Sequence, residues 1–213
     1  MNVAFQKFKP IKIEKFIQEI FWRTYWRGWL ELHPIIWNEY EKKIRDVEPP
    51  GKTGIKCFDH WTQELIETGY LHNHARMWYA SIWIFTLNKN WIDGALFFQK
   101  NLLDWCPAVN TLSWRWVAGL QTIGKNYIAR ADNIYKFTNY KFNPVNELNE
   151  TAPPLESQSS LNQQIIDKEF EKISFNDLDN IGLIINKNDF TLNSLLKKNI
   201  DFKTCLFKSD NPL

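Results

Sequence analysis

Hydrophobic positions recur at helical spacing through most of the first 120 residues. In KIEKFIQEIFWRTYWRGWLEL (12–32), Phe16, Ile20, Trp22, Tyr25, Trp26 and Trp29 predict a long amphipathic helix. His33-Pro34 should end or kink it, because the residue before a proline is pushed out of the helical region. IIWNEYEKKI (35–44) reads as a second, short amphipathic helix closed by the turn-rich VEPPGKTG. FDHWTQELIETG (58–69) is a third, with Gly69 placed for a left-handed cap. HNHARMWYASIWIFTLN (72–88) is apolar on nearly all sides, which predicts a central helix. IDGALFFQKNLLDW (92–105) and NTLSWRWVAGL (110–120) supply a fifth and a sixth. Nothing alternates with period two for long, so the expected class is all-α.

The pattern changes after the sixth helix. All eleven tryptophans lie between Trp22 and Trp116. NETAPPLESQSSLNQ, from Asn149 to Gln163, is polar and Pro/Ser-rich. These shifts divide the chain into a helical body (1–148), a linker (149–163) and a mostly irregular tail (164–213). In the tail, IIDKEFEKI and FTLNSLLKKNI read as short helices and IGLII as a short strand.

Charge adds little. Residues 1–150 carry 19 Lys/Arg against 15 Asp/Glu, and the rest carry 7 against 9. So small an excess does not by itself argue for nucleic-acid binding. The N-terminal stretch lacks the apolar segment of a signal peptide, and no apolar run is long enough to span a membrane. Three widely spaced cysteines, Cys57, Cys106 and Cys205, fit a reducing compartment, so a cytoplasmic protein is expected.

Several signals look chemical. GKT at 51–53 lacks the glycine that a phosphate loop needs five positions before its second one, since Asp46 stands there, and it reads as a turn. Cys57 and His60, near the HNH at 72–74, make only one closely spaced ligand pair, so no metal site is expected. Asn73, Arg76 and Met77 share one helix face, as do Glu19, Trp22 and Arg23, and as do Asn110 and Trp114; Trp116 is expected to point the other way. A buried Arg76 would need an anion, and Asp104 in LLDWCPAVNTLSWRW (102–116) is the candidate. From pattern alone, core packing with a structural salt bridge accounts for these residues more readily than a binding site does.

Taken in order, EIFWRTYW, GKTGIKCFDHWTQELIETGYLHNHARMWYAS and LLDWCPAVNTLSWRWVAG resemble the flavin-binding helical domain of the DNA photolyase and cryptochrome family, over residues 16 to 142. The resemblance implies FAD as cofactor, with Asn73, Arg76, Met77, Asp104, Cys106 and Asn110 at the flavin. Asn110 would face the flavin N5. It implies an electron-carrying tryptophan chain of Trp114, Trp91 and Trp37. It assigns Glu19, Trp22, Met77 and Trp116 to a pocket for a pyrimidine dimer flipped out of DNA. The implied activity is light-driven carbon–carbon bond cleavage in DNA repair.

The chain also departs from that pattern. Cys106 stands where the family carries Asp, and Trp105 where it carries Gly. The family's N-terminal antenna domain and phosphate-binding loop have no counterpart, which implies half of a flavin domain completed by a partner chain. The alternatives are a helical DNA-binding or interaction module without catalysis, and a cryptochrome-like blue-light sensor.

Overall fold

A computed structural model describes residues 2–156 and, in the tail, the pairs 184–185 and 205–206. Eight α-helices occur among the described residues of the body. Asn2–Lys7 (α1), which the hydrophobic pattern did not flag, leads into Pro10–Leu32 (α2). α2 ends where expected: His33 leaves helical geometry, and Pro34 opens Pro34–Glu41 (α3) at the one position where proline suits a helix. The His33 ring stacks on Trp29 at 3.8 Å and its Nδ1 lies 2.8 Å from the Trp29 carbonyl, which fixes the corner.

GKTG is a turn, as expected, and it is a structured one. Asp59 in Lys56–Thr68 (α4) accepts from Thr53 N at 2.9 Å, Thr53 Oγ1 at 2.7 Å and Gly54 N at 3.2 Å. Gly69 caps α4 at φ +68, a left-handed conformation that disfavours other residues. Asn73–Ser81 (α5) starts on His72, whose ring nitrogen accepts from His74 N, and then widens into a π-helical turn at Ile82–Thr86. Leu87 N bonds Ile82 O at 2.9 Å, the five-residue step of that turn. Trp91–Asn101 (α6), Pro107–Ala118 (α7) and Ala131–Phe137 (α8) follow.

α5 and its π turn run through the centre, as their apolar sequence predicts. Trp78, Tyr79, Ile82, Trp83, Ile84 and Phe85 are all buried. Tyr79 stacks on Phe58 of α4 at 4.2 Å and meets Phe98 of α6 at 5.3 Å. Side chains of this size each contribute about 1.5–3 kcal/mol on burial, so this aromatic block dominates the core. α7 packs against α2, α5 and α6, which places its residues between the long first helix and the core.

Two segments differ from the sequence reading. The fifth helix stops at Asn101 rather than Trp105, because Leu102 turns extended and Leu103 N bonds Gly69 O at 3.0 Å. Residues 149–156, read as the start of the linker, are bonded to the body. Asn149 bonds Thr86 and Phe85, Glu150 accepts from Ala131 N at 2.8 Å, and Leu155 N bonds Ala118 O at 3.0 Å. The chain divides into two units, 1–165 and 166–213. In the second, Ile184–Ile185 pairs in parallel with Cys205–Leu206, so the expected strand at IGLII is present in its last two residues. The two tail helices fall outside the described residues. No helix among the described residues is long and apolar enough to cross a membrane.

Candidate flavin and lesion cavity

A cavity of about 620 Å³ opens between α2, α5, the end of α6 and α7. α2 contributes Glu19, Trp22 and Arg23 from one face, with Trp26 and Trp29 further along. α5 contributes Asn73, Arg76 and Met77, the 3- and 4-residue spacing turning all three the same way. The segment after α6 adds Asp104, Trp105 and Cys106, and α7 adds Asn110, Trp114 and Trp116. Ten of the twelve candidate residues therefore meet in one place, although they are distributed over almost a hundred positions of sequence.

Each is held by its local chemistry. The early end of α6 turns Asp104 back toward α5, where Arg76 Nη2 donates to both of its oxygens at 3.1 Å. Arg76 Nε donates to Leu71 O at 2.7 Å, so the guanidinium has a second anchor. The pair is not buried as expected: side-chain exposure is 23% for Arg76 and 56% for Asp104. It therefore orients the guanidinium without costing the stability that a deeply buried charge would. Asn110 is buried, and its Nδ2 donates to Ala95 O at 3.0 Å. That bond leaves a second N–H and a carbonyl oxygen on a carboxamide that lines the cavity.

The aromatic residues divide into two sets. Trp114 is buried against Phe98 at 5.1 Å and Trp83 at 6.2 Å, both edge to face. Trp22 is 53% exposed and stacks on Trp26 at 6.1 Å, leaving a face free at the mouth. Trp116 was expected to point away from Trp114, yet both line the cavity; Trp116 is steadied by stacking on Tyr127 at 5.7 Å. The cavity curves around α7, so a two-residue offset does not take Trp116 out of it.

Trp37 and Trp91 do not line this cavity. They are half-buried and joined through a residue the sequence reading missed. Tyr40 lies 5.5 Å from Trp37 and 6.3 Å from Trp91, ring centre to ring centre. Its hydroxyl donates to Gln99 Oε1 at 3.0 Å, and burial pushes its pKa upward. The helical register of IIWNEYEKKI could have flagged Tyr40, three residues after Trp37, as a neighbour on the same face. Trp105, half-buried with its indole Nε1 lacking a hydrogen-bond partner, was noted in sequence only as a departure.

No group of three or more His, Cys, Asp or Glu able to hold a metal occurs among the described residues. Cys57 is buried and its thiol is pushed up to about 12 by desolvation, while His60 Nε2 lies 3.1 Å from Lys141 Nζ. The cavity walls suit a flat ring with polar edges. Trp114, Trp105, Phe98 and Val117 supply apolar surface, and Asn110 and Arg76 supply directed polar groups. Arg23 and Arg76 are balanced by Glu19 and Asp104.

Residues 16–150 match the family described as the FAD binding domain of DNA photolyase. The chain belongs to that family, and its cofactor is FAD. It is 31% identical over 143 residues to the deoxyribodipyrimidine photo-lyase of Streptomyces griseus, covering 57% of this chain and 31% of that protein. The Escherichia coli K12 enzyme of the same name is 28% identical over 124 residues, covering 52% of this chain and 26% of that protein. The crystal structure of a bacterial class III photolyase from Agrobacterium tumefaciens superposes with a TM-score of 0.53 at 26% identity, covering 64% of this chain and 31% of the other. The chain thus spans about a third of the length of these relatives or less.

Proposed function

We propose that this chain is the catalytic-side part of a photolyase-type flavoprotein that repairs pyrimidine dimers in DNA under blue light. The observation that supports this most is the convergence of Glu19, Trp22, Met77 and Trp116 on the same cavity as Asn73, Arg76, Asp104 and Asn110. A flavin pocket alone has no use for the first four.

FAD, when bound and reduced, supplies the light-excited electron for the repair. The protein's residues do the rest. Arg76, aligned by Asp104 and Leu71, offers a fixed cation to the flavin edge, and Asn73 lies a turn away on the same face. Asn110, oriented by Ala95, presents its remaining amide N–H and oxygen to the ring nitrogens. Cys106 presents a thiol to the cavity, where the resemblance drawn from the sequence would place a carboxylate. Trp114 shields one side and forms the inner end of the electron route, with Trp91 and Trp37 at its outer end.

At the mouth, Trp22 and Trp116 stack the extruded bases, which recovers about 1–3 kcal/mol per base toward the cost of unstacking a damaged pair. Glu19 accepts hydrogen bonds from the base edges, and Met77 fills the irregular gap beside them. Groups that hold the two FAD phosphates would come from a partner chain or segment. Free buried Cys57 and Cys106 suit a reducing cytoplasm.

The test is light-driven repair of a thymine-dimer oligonucleotide by the FAD-loaded protein. Glu19→Ala is expected to slow repair while leaving flavin content unchanged. Loss of flavin in that variant would make Glu19 structural, and absence of repair in the FAD-loaded wild type would overturn the reading. A second reading, a helical interaction module without catalysis, is favoured by Trp105, which fills space in the cavity, and by Cys106, which offers no carboxylate.

A further inference from the structure

A second cavity of about 700 Å³ lies beside α3, the start of α6 and the end of α7. Its deepest charged group is Arg115, only 6% exposed. The guanidinium is poorly bonded for its burial. Nε lies 3.5 Å from Gln121 Oε1 and Nη2 lies 3.4 Å from Leu120 O, both at the weak end of hydrogen-bond geometry. No carboxylate among the described residues makes a salt bridge with it; Glu39, on the same cavity wall, acts on it only at longer range, and burial draws its pKa down. Buried guanidinium groups are normally matched by an oxyanion, usually in bidentate geometry. Among the described residues no such partner is present.

The surroundings say what would supply it. Lys43 and Lys89, both exposed, stand on the rim, so with Arg115 the cavity carries three cations against the carboxylates of Glu39 and Glu156. The wall beneath is aromatic: Trp91 lies 5.9 Å from the Arg115 guanidinium, and Tyr40 stacks near-parallel to Trp91. Ile36, Ile84 and Ile92 extend that apolar floor.

We infer that this cavity binds a small molecule with an oxyanion on a flat apolar body, the oxyanion on Arg115 and the body against Trp91 and Tyr40. It is distinct from the flavin cavity and shares no lining residue with it. Two buried requirements, charge and apolar area, are met at once only by such a ligand. Inorganic phosphate satisfies the first alone, and a neutral aromatic the second alone.

Phosphorus NMR titration of the full chain with phenyl phosphate tests this, with inorganic phosphate and benzyl alcohol as the single-feature probes. Phenyl phosphate is expected to bind about tenfold or more tightly than inorganic phosphate, and benzyl alcohol not to displace it. Lys43→Ala and Lys89→Ala, at exposed positions where folding is not at risk, should each weaken it about threefold. Arg115→Gln should abolish binding, and Arg76→Gln, in the other cavity, should leave it intact. Absence of binding at millimolar concentration, affinity unaffected by both lysine changes, or loss on Arg76→Gln would each overturn the inference.

Discussion

Gly94 and Trp114 fit together as a void and its filling. A Cβ at Gly94, buried within α6, would fall inside the van der Waals envelope of the Trp114 ring. An interior helical glycine ordinarily costs about 0.5–1 kcal/mol relative to alanine, but here its absence of a side chain is what lets the Trp114 ring approach α6 this closely. Gly94→Ala should therefore destabilise the protein by about 1–3 kcal/mol in urea unfolding, the range for overpacking. It should also shift Trp114 and lower flavin retention.

Tyr40 sits between Trp37 and Trp91 as a bridge. Its burial raises the phenol pKa and its hydroxyl bonds a neutral amide, so it has no base to take a proton. Tyr40→Phe is expected to preserve light-driven reduction of the bound flavin, whereas Tyr40→Leu should slow it. Trp114→Phe should abolish it without impairing repair by chemically reduced protein. Transient absorption after a laser pulse distinguishes these outcomes.

Asp104 is mostly exposed, which limits what it contributes to stability. Asp104→Asn should change unfolding free energy by no more than about 0.5 kcal/mol, as for an exposed ion pair. FAD affinity should fall only about threefold, because Leu71 O still anchors Arg76. Arg76→Ala, which removes the cation itself, should cost tenfold or more, roughly 1.4 kcal/mol.

Cys106 occupies the N-cap of α7 with extended backbone angles and no side-chain cap bond. A carboxylate there could accept from the first-turn amides. Cys106→Asp is expected to stabilise the helix by about 0.5–2 kcal/mol and to raise FAD affinity; thermal melts with and without FAD separate the two effects.

Two helix ends were legible because single residues determine them: Pro34 and Gly69 each start or stop a helix where they stand, whereas the sixth helix, read through Gly119 to Leu120, stops at Ala118 on that left-handed glycine. The π turn was not, since a continuous apolar run such as SIWIFT carries no periodic mark of its wider winding. α8 was missed because ADNIYKF is short and only Ala131 and Ile134 are buried. Shared faces gave Glu19 with Trp22 and Asn73 with Arg76 and Met77, since those depend on helical spacing alone. The burial of Arg115 and the bridging place of Tyr40 depend on contacts between helices far apart in sequence, which spacing does not encode.

The most direct test of the central claim is the visible absorption of the purified protein after incubation with FAD and removal of the excess, beside Asn110→Leu and Arg76→Ala. A flavin band retained by the wild type and lost or weakened in both variants is the predicted result. A wild-type protein that emerges colourless, or variants that retain as much flavin as the wild type, would contradict the account of this cavity as the flavin site.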